Sequence, residues 1–233
     1  MKSFCCLLAL MVLLLCTGNV RAHDPIKIGI FDFPPFYSKS LHTGAEGILA
    51  DYARQAMAKV GFTPKFKAFH TPVLMEKLRE GEVDVAMLIR HPALTDKVLY
   101  SKKIIAQINL VSYRGEKAEP VKTLEDLAGK RILSLAGYGY GGILNKLKEL
   151  PAPPKFIEIN DIYSGLEMLS AGRGDYFLSY LQPSQEIAKR KGYLQAGTWL
   201  VSDPISTFDV YWVVSAKAAN AKRILARLES LQN

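Results

Sequence analysis

Three short stretches hold the groups that could do chemistry, and a fourth adds a ring. Arg90 and His91 lie in the polar turn Arg90-His91-Pro92, directly after an apolar run at residues 83–89. Gly137-Tyr138-Gly139-Tyr140-Gly141-Gly142 separates a β-rich run from an amphipathic one. Phe33 sits in Asp32-Phe33-Pro34-Pro35-Phe36-Tyr37, and Tyr180 closes the run YFLSY. A guanidinium beyond a strand end and a glycine turn exposing N–H groups at a helix start both suit an anion. Rings suit a flat or apolar ligand body. This is recognition chemistry rather than bond-making. No nucleophile has a base partner, no carboxylates pair at a shared strand end, and His70 and His91 have no metal-ligand spacing. The glycine turn lacks the Gly-Lys-Ser/Thr of a phosphate loop and is not a good dinucleotide fingerprint, so no cofactor is expected.

Alternating helical and extended patterns must position these groups. Residues 26–31 (IKIGIF) read as a strand stopped by the proline loop. Ile48, Leu49, Tyr52, Ala53, Ala56, Met57 and Val60 follow helical spacing until Gly61. Residues 65–69 alternate as a strand, and Thr71-Pro72 opens a helix that Gly81 ends. Val83, Val85 and Met87 then shift the period to two, and residues 98–113 read as one long extended segment. Beyond a polar linker at 114–120, Thr123 caps a short helix, residues 131–136 form a strand, and a helix follows the glycine turn. A strand at 156–159, a helix capped by Asp161 and a strand after Gly172-Arg173-Gly174-Asp175 repeat the helix, glycine, Asp, strand order of residues 78–88. A short basic helix, a strand at 210–215 and a last helix over 217–231 complete two similar halves.

Residues 1–22 carry Lys2, an apolar core at 7–15 and Val20-Arg21-Ala22, the pattern of a secretory signal cleaved after Ala22. Its apolar core is far shorter than the roughly 20 residues a membrane span needs. All three cysteines, Cys5, Cys6 and Cys16, fall inside it, so the exported chain has neither disulfide nor thiolate site. Leu15 precedes Cys16 where a lipoprotein signal places a small residue, which argues against acylation there. Cleavage would leave His23 at a free amino terminus, a nitrogen pair that can hold copper, although a free tail is the simpler expectation. Without Lys2 and Arg21 the remaining 211 residues carry 28 basic and 22 acidic side chains, a net charge of +6. The excess is scattered and forms no Lys/Arg run, so no nucleic-acid partner is expected.

The order LREGEVDVAM, a turn, VLYS and a long strand resembles the bacterial solute-binding proteins of family 3, over nearly all of the chain after residue 24. The resemblance implies a periplasmic, monomeric α/β protein with the two-lobed periplasmic binding protein fold (type II). Each lobe would be a sheet flanked by helices, joined by a two-strand hinge. Residues 23–108 with 205–233 would form lobe 1, and residues 109–204 lobe 2. By the same resemblance Phe33 packs on the ligand and Phe36 anchors the core. Asp51 stands where the family has an acid, although complementing the helix dipole in the first turns is the simpler expectation. The turn holding Gly137, Tyr138, Gly139 and Tyr140 would receive a ligand carboxylate, and an ABC permease or a sensor would be the partner.

This chain departs from that pattern where a zwitterion would be gripped. The arginine expected between the turn and VLYS is absent; Leu94 or Asp96 stands there, depending on the direction of counting. The acid expected at the end of GRGDYFLSY is Tyr180. Losing a buried charged contact lowers affinity by orders of magnitude, so an ordinary α-amino acid is not the expected ligand. An anion held by Arg90 and the glycine turn, or an aromatic body walled by Phe33, Tyr138, Tyr140 and Tyr180, fits better. Two competing readings are an interaction protein that kept the fold without solute binding, and a lyase of the cyclohexadienyl dehydratase type.

Overall fold

The computed structural model describes residues 24–115, 117–191 and 201–231. The expected signal segment, His23 and Cys16 lie outside them. Among the described residues no helix is long and apolar enough to cross a membrane.

Strands β1 (Asp24–Ile30), β4 (Phe62–Ala68) and β5 (Val85–Ile89) form a parallel set in the first half, with β1 in the middle. Helices α1 (Ile48–Lys59) and α2 (Thr71–Glu80) connect them, and β2 (Ser38–Ser40) and β3 (Gly44–Glu46) make a separate hairpin. In the second half, β8 (Arg131–Leu135) lies parallel between β9 (Lys155–Ile159) and β10 (Tyr176–Tyr180). Helices α3 (Ile143–Lys148), α4 (Ile162–Ser170) and α5 (Leu181–Arg190) belong to this half, and α6 (Ala221–Ser230) returns to the first.

Two long antiparallel strands, β7 (Ala106–Arg114) and β11 (Val201–Ser215), join the halves. The start of β11 pairs with β7, and its end pairs with β5 and with the short β6 (Val98–Tyr100). The strand order is therefore β4-β1-β5-β11-β7-β10-β8-β9, one hydrogen-bonded path rather than two separate sheets. A register shift between Pro204 and Ser206 interrupts the β7–β11 ladder, as a proline without an N–H requires.

The repeat read in the sequence is a repeat of hydrogen bonds. Before β5, Asp84 accepts the Lys27 backbone N–H at 2.8 Å and donates its own N–H to the Lys27 carbonyl. Before β10, Asp175 does the same with Arg131, at 2.7 Å and 2.8 Å. Each aspartate thereby clips the strand entering a parallel set to its neighbour. The helix termini follow local chemistry: Gly81 ends α2 in the left-handed region, and the Asp161 carboxylate accepts Ser164 N–H at 2.8 Å to start α4.

Three expectations are corrected. The extended segment at 98–113 is broken at 101–105, because the Ser101 hydroxyl accepts Trp212 N–H and donates to the Lys103 carbonyl, ending β6 before β7 begins. The final strand is 15 residues long rather than six, since pairing with β7 extends it back to Val201. The last helix starts only at Ala221, after Asn220 adopts a left-handed conformation.

At the far end of the joining strands, the Arg114 guanidinium contacts the Asp203 carboxylate at 2.7 Å, with both side chains nearly buried. Val121 N–H and the Ala118 carbonyl complete the network. Removing one partner of such a pair leaves a buried charge uncompensated. Asp203→Asn is expected to destabilise the fold by about 3 kcal/mol, read as a lowered urea midpoint.

Candidate functional site

The carboxyl ends of β1, β5, β8 and β10 converge on one cleft between the halves. Beyond β1, Phe33 N–H bonds the Tyr37 carbonyl and the Phe33 carbonyl accepts Phe36 and Tyr37 N–H, so the proline loop folds back and buries its rings. Beyond β5 come Arg90 and His91, beyond β8 the 137–142 turn, and β10 ends at Tyr180. Open α/β sheets place ligands in this position.

Seven of the eight residues singled out in the sequence line one cavity of about 50 Å³: Phe33, His91, Gly137, Tyr138, Gly139, Tyr140 and Tyr180. The eighth, Arg90, is elsewhere. Its guanidinium lies 4.7 Å from the ring centroids of both Tyr100 and Tyr211, held between two aromatic faces, and it does not line the cavity. The Arg90 expectation missed this sandwich because Tyr211 lies far along the chain, on β11. Sequence reasoning also missed the floor, formed by Met75, Met87, Ile108 and Val210. Ordinary apolar periodicity marks these residues as core and gives no sign that they face a cleft.

Rings from both halves meet here. Phe33 is 5.2 Å from Tyr180, edge to face, and 6.5 Å from Tyr138, stacked. Phe31 meets Tyr138 at 6.2 Å, and Tyr138, Tyr140 and Tyr180 contact one another at 5.6–6.1 Å. The turn is equally close to the first half. A Cβ on Gly137 would fall 2.5 Å from Pro72 Cγ, and one on Gly139 would fall 3.2 Å from His91 Nε2. Gly137 and Gly141 also have positive φ, so glycine is required by backbone and by space.

The hydroxyls differ in what they have left to offer. Tyr140 O–H donates to the Leu178 carbonyl at 2.9 Å and accepts Leu135 N–H at 2.8 Å, so it pins the turn to β8 and β10. Tyr37 O–H donates to the Met87 carbonyl. Burial raises the Tyr138 hydroxyl to about 12, with the neighbouring Thr71 hydroxyl acting the other way. Burial likewise raises Tyr180 well above the ordinary tyrosine value, and among the described residues no partner reaches its hydroxyl. His91 Nδ1 accepts Ala93 N–H at 3.1 Å, which fixes the neutral ring with its proton on Nε2, beside Gly139.

Among the described residues, no Arg, Lys, Asp or Glu lines the cavity. At the positions where the sequence lacks the expected arginine, Leu94 is fully buried in a short turn and Asp96 is exposed. Asp32, exposed outside the lining, has its carboxyl raised by desolvation while Arg190 opposes the shift. Among the described residues, no cluster of His, Cys, Asp or Glu forms a metal site.

No protein-family model matches the chain, and no curated relative was found. Solved structures match over nearly its whole length. A histidine kinase sensor domain with similarity to periplasmic binding proteins superposes with a TM-score of 0.74 at 19% identity, covering 90% of this chain and 89% of that one. The arginine-bound form of truncated ArgBP from T. maritima gives 0.70 at 18% identity, covering 92% and 97%. The substrate binding protein of an amino acid ABC transporter gives 0.68 at 19%, covering 89% and 91%. The chain has the two-lobed periplasmic binding protein fold, with each half of the sheet forming a lobe and β7 and β11 running between them.

Burial lowers the His91 pKa below the ordinary value of about 6.5. A histidine held neutral in the fold contributes stability that is present above about pH 6.5 and is lost as pH falls through the lower folded value, because the unfolded chain then binds the extra proton. The groups nearest it are Arg90 in the chain, Tyr100, whose hydroxyl accepts the His91 backbone N–H, and the uncharged turn. The melting temperature is therefore expected to fall as pH drops below about 6.5, and His91→Gln to flatten that fall.

Proposed function

We propose that this chain is a periplasmic solute-binding protein of the family 3 type, exported by a cleaved signal peptide. It closes two lobes on a small molecule and presents the closed form to an ABC permease or a membrane sensor. The hinge lies where β7 and β11 pass between lobes, near residues 108 and 205. The fold shared with a sensor domain and with transport receptors supports the class. The ligand is not an ordinary α-amino acid.

One observation carries the last statement: the cleft is lined by rings, aliphatic side chains, two glycines and Thr71, with no Arg, Lys, Asp or Glu among the described residues that line it. A zwitterion enclosed there would leave two charges unpaired in a low-dielectric site, at several kcal/mol each. Arginine, the ligand of one structural relative, adds a third. With Arg90 held between Tyr100 and Tyr211, an anion also lacks its expected counter-charge, and the aromatic body becomes the better-supported half of the ligand description.

A metabolite library is expected to contain a compound that raises the melting temperature and lowers the radius of gyration by scattering, as closure on a ligand requires. The twenty common amino acids at millimolar concentration are expected to do neither. Arginine binding at micromolar Kd would refute the ligand reading, and a broad library without any hit would refute the solute-binding reading.

A further inference from the structure

The cleft has almost no spare room. Its cavity of about 50 Å³ is a fraction of the roughly 150 Å³ in which an apolar protein cavity holds benzene. A ring ligand can be enclosed only where one of the present rings gives way. Phe33 and Tyr180 are buried, and the Tyr140 hydroxyl is bonded to two strands. Tyr138 is different. It is only partly buried, its hydroxyl meets one side chain, Thr71, rather than two strands, it lies on the turn between Gly137 and Gly139, and its ring stacks on Phe33 while contacting Tyr180 and Phe31. Those are the neighbours a flat ligand would want.

Two polar groups in this apolar lining have no hydrogen-bond partner among the described residues: the Tyr180 hydroxyl and His91 Nε2. Tyr180 is 3% exposed as a residue, yet the sealed and unpaired side-chain groups among the described residues are Ser112 Oγ and Trp212 Nε1, so the Tyr180 hydroxyl keeps an opening to the cavity through which an acceptor can reach it. The two come from opposite lobes. His91 Nε2 lies against Gly139, and the Tyr180 ring is 6.1 Å from that of Tyr138, so they flank the turn residue whose ring fills the cleft. Both can donate, Tyr180 through O–H and neutral His91 through Nε2–H.

We propose that the ligand of this cleft is an uncharged, flat ring compound whose ring takes the place filled here by Tyr138, and whose hydrogen-bond acceptor is received by the Tyr180 hydroxyl and His91 Nε2. The inference rests on the solute-binding reading above and names its ligand class. A carbonyl or a ring nitrogen supplies the acceptor. A carboxylate does not fit, because among the described residues no Arg or Lys lines the site to pair with it. A ring without an acceptor leaves both donors dry, and sites built to bond a polar group discriminate strongly against analogues lacking it. Tyr138 then acts as a displaceable surrogate that keeps the cleft packed until the ligand arrives.

The test is titration calorimetry on the full exported chain with four probes of similar size: acetophenone, toluene, benzoate and phenylalanine. Acetophenone is expected to bind at least tenfold more tightly than the other three. Tyr180→Phe and His91→Ala should each weaken acetophenone by about five- to tenfold and leave toluene unchanged, while His91→Gln, which keeps a donor, should recover part of the loss. Tyr138→Ala should tighten acetophenone, because the ring site is then already vacated. Circular dichroism melts verify that each variant folds; Tyr180→Phe, which removes one oxygen, is the least disruptive. Tighter binding of benzoate or phenylalanine would overturn the ligand class while leaving solute binding intact. Weaker acetophenone binding by Tyr138→Ala would overturn the surrogate role. No acetophenone binding, or unchanged affinity in both donor variants, would overturn the proposal, whereas the solute-binding reading falls only if the broad library also yields nothing.

Discussion

The two lobes meet ring against ring, and the rest of the structure is arranged to permit that contact. Phe33 from the first lobe touches Tyr138 and Tyr180 from the second. Such pairs contribute roughly 0.5–1.5 kcal/mol each beyond the area they bury. They require close backbone approach, which the glycines of the turn allow: Gly137 abuts Pro72, and Gly139 abuts His91. They also require that nothing charged be sealed between them, and the lining satisfies this. Charge is handled outside the cleft, where Arg90 lies between two tyrosine faces and Arg114 is neutralised by Asp203.

A pair of long strands joins the two sides of this contact. β11 pairs with β5 at one end and with β7 along the other, so these two strands are what connects the two parallel sets. The aspartate clips at Asp84 and Asp175 keep each set rigid.

Much of this was legible in the sequence for definite reasons. Helical spacing from Ile48 to Val60, the glycines after α1, α2 and α4 and the aspartates before β5 and β10 are local signals, and local signals survive folding. The grouping of Phe33, His91, Tyr138 and Tyr180 was legible because strand ends of an open α/β sheet converge, so residues just beyond them share a cleft. What was hidden depends on partners distant in the chain. Nothing local tells that Tyr211 reaches Arg90, that Ser101 interrupts a β-rich run by bonding Trp212, or that β11 extends back to Val201 to pair with β7. The fate of the Tyr140 hydroxyl was equally unreadable, since its partners are backbone groups of two other strands.

The central claim is that apolar ring contact, not charge, draws the lobes together. It is tested most directly by spin-label distance measurement across the cleft, with labels on cysteines placed at Lys65 on β4 and Glu158 on β9, exposed positions in a chain that has no cysteine after Cys16. The account predicts that Phe33→Ala lengthens and broadens the inter-lobe distance. It also predicts that raising salt from about 0.1 M to about 1 M, which shortens the screening length from about 10 Å to about 3 Å, leaves the wild-type distance unchanged. A distance indifferent to Phe33→Ala but increased by salt would contradict it.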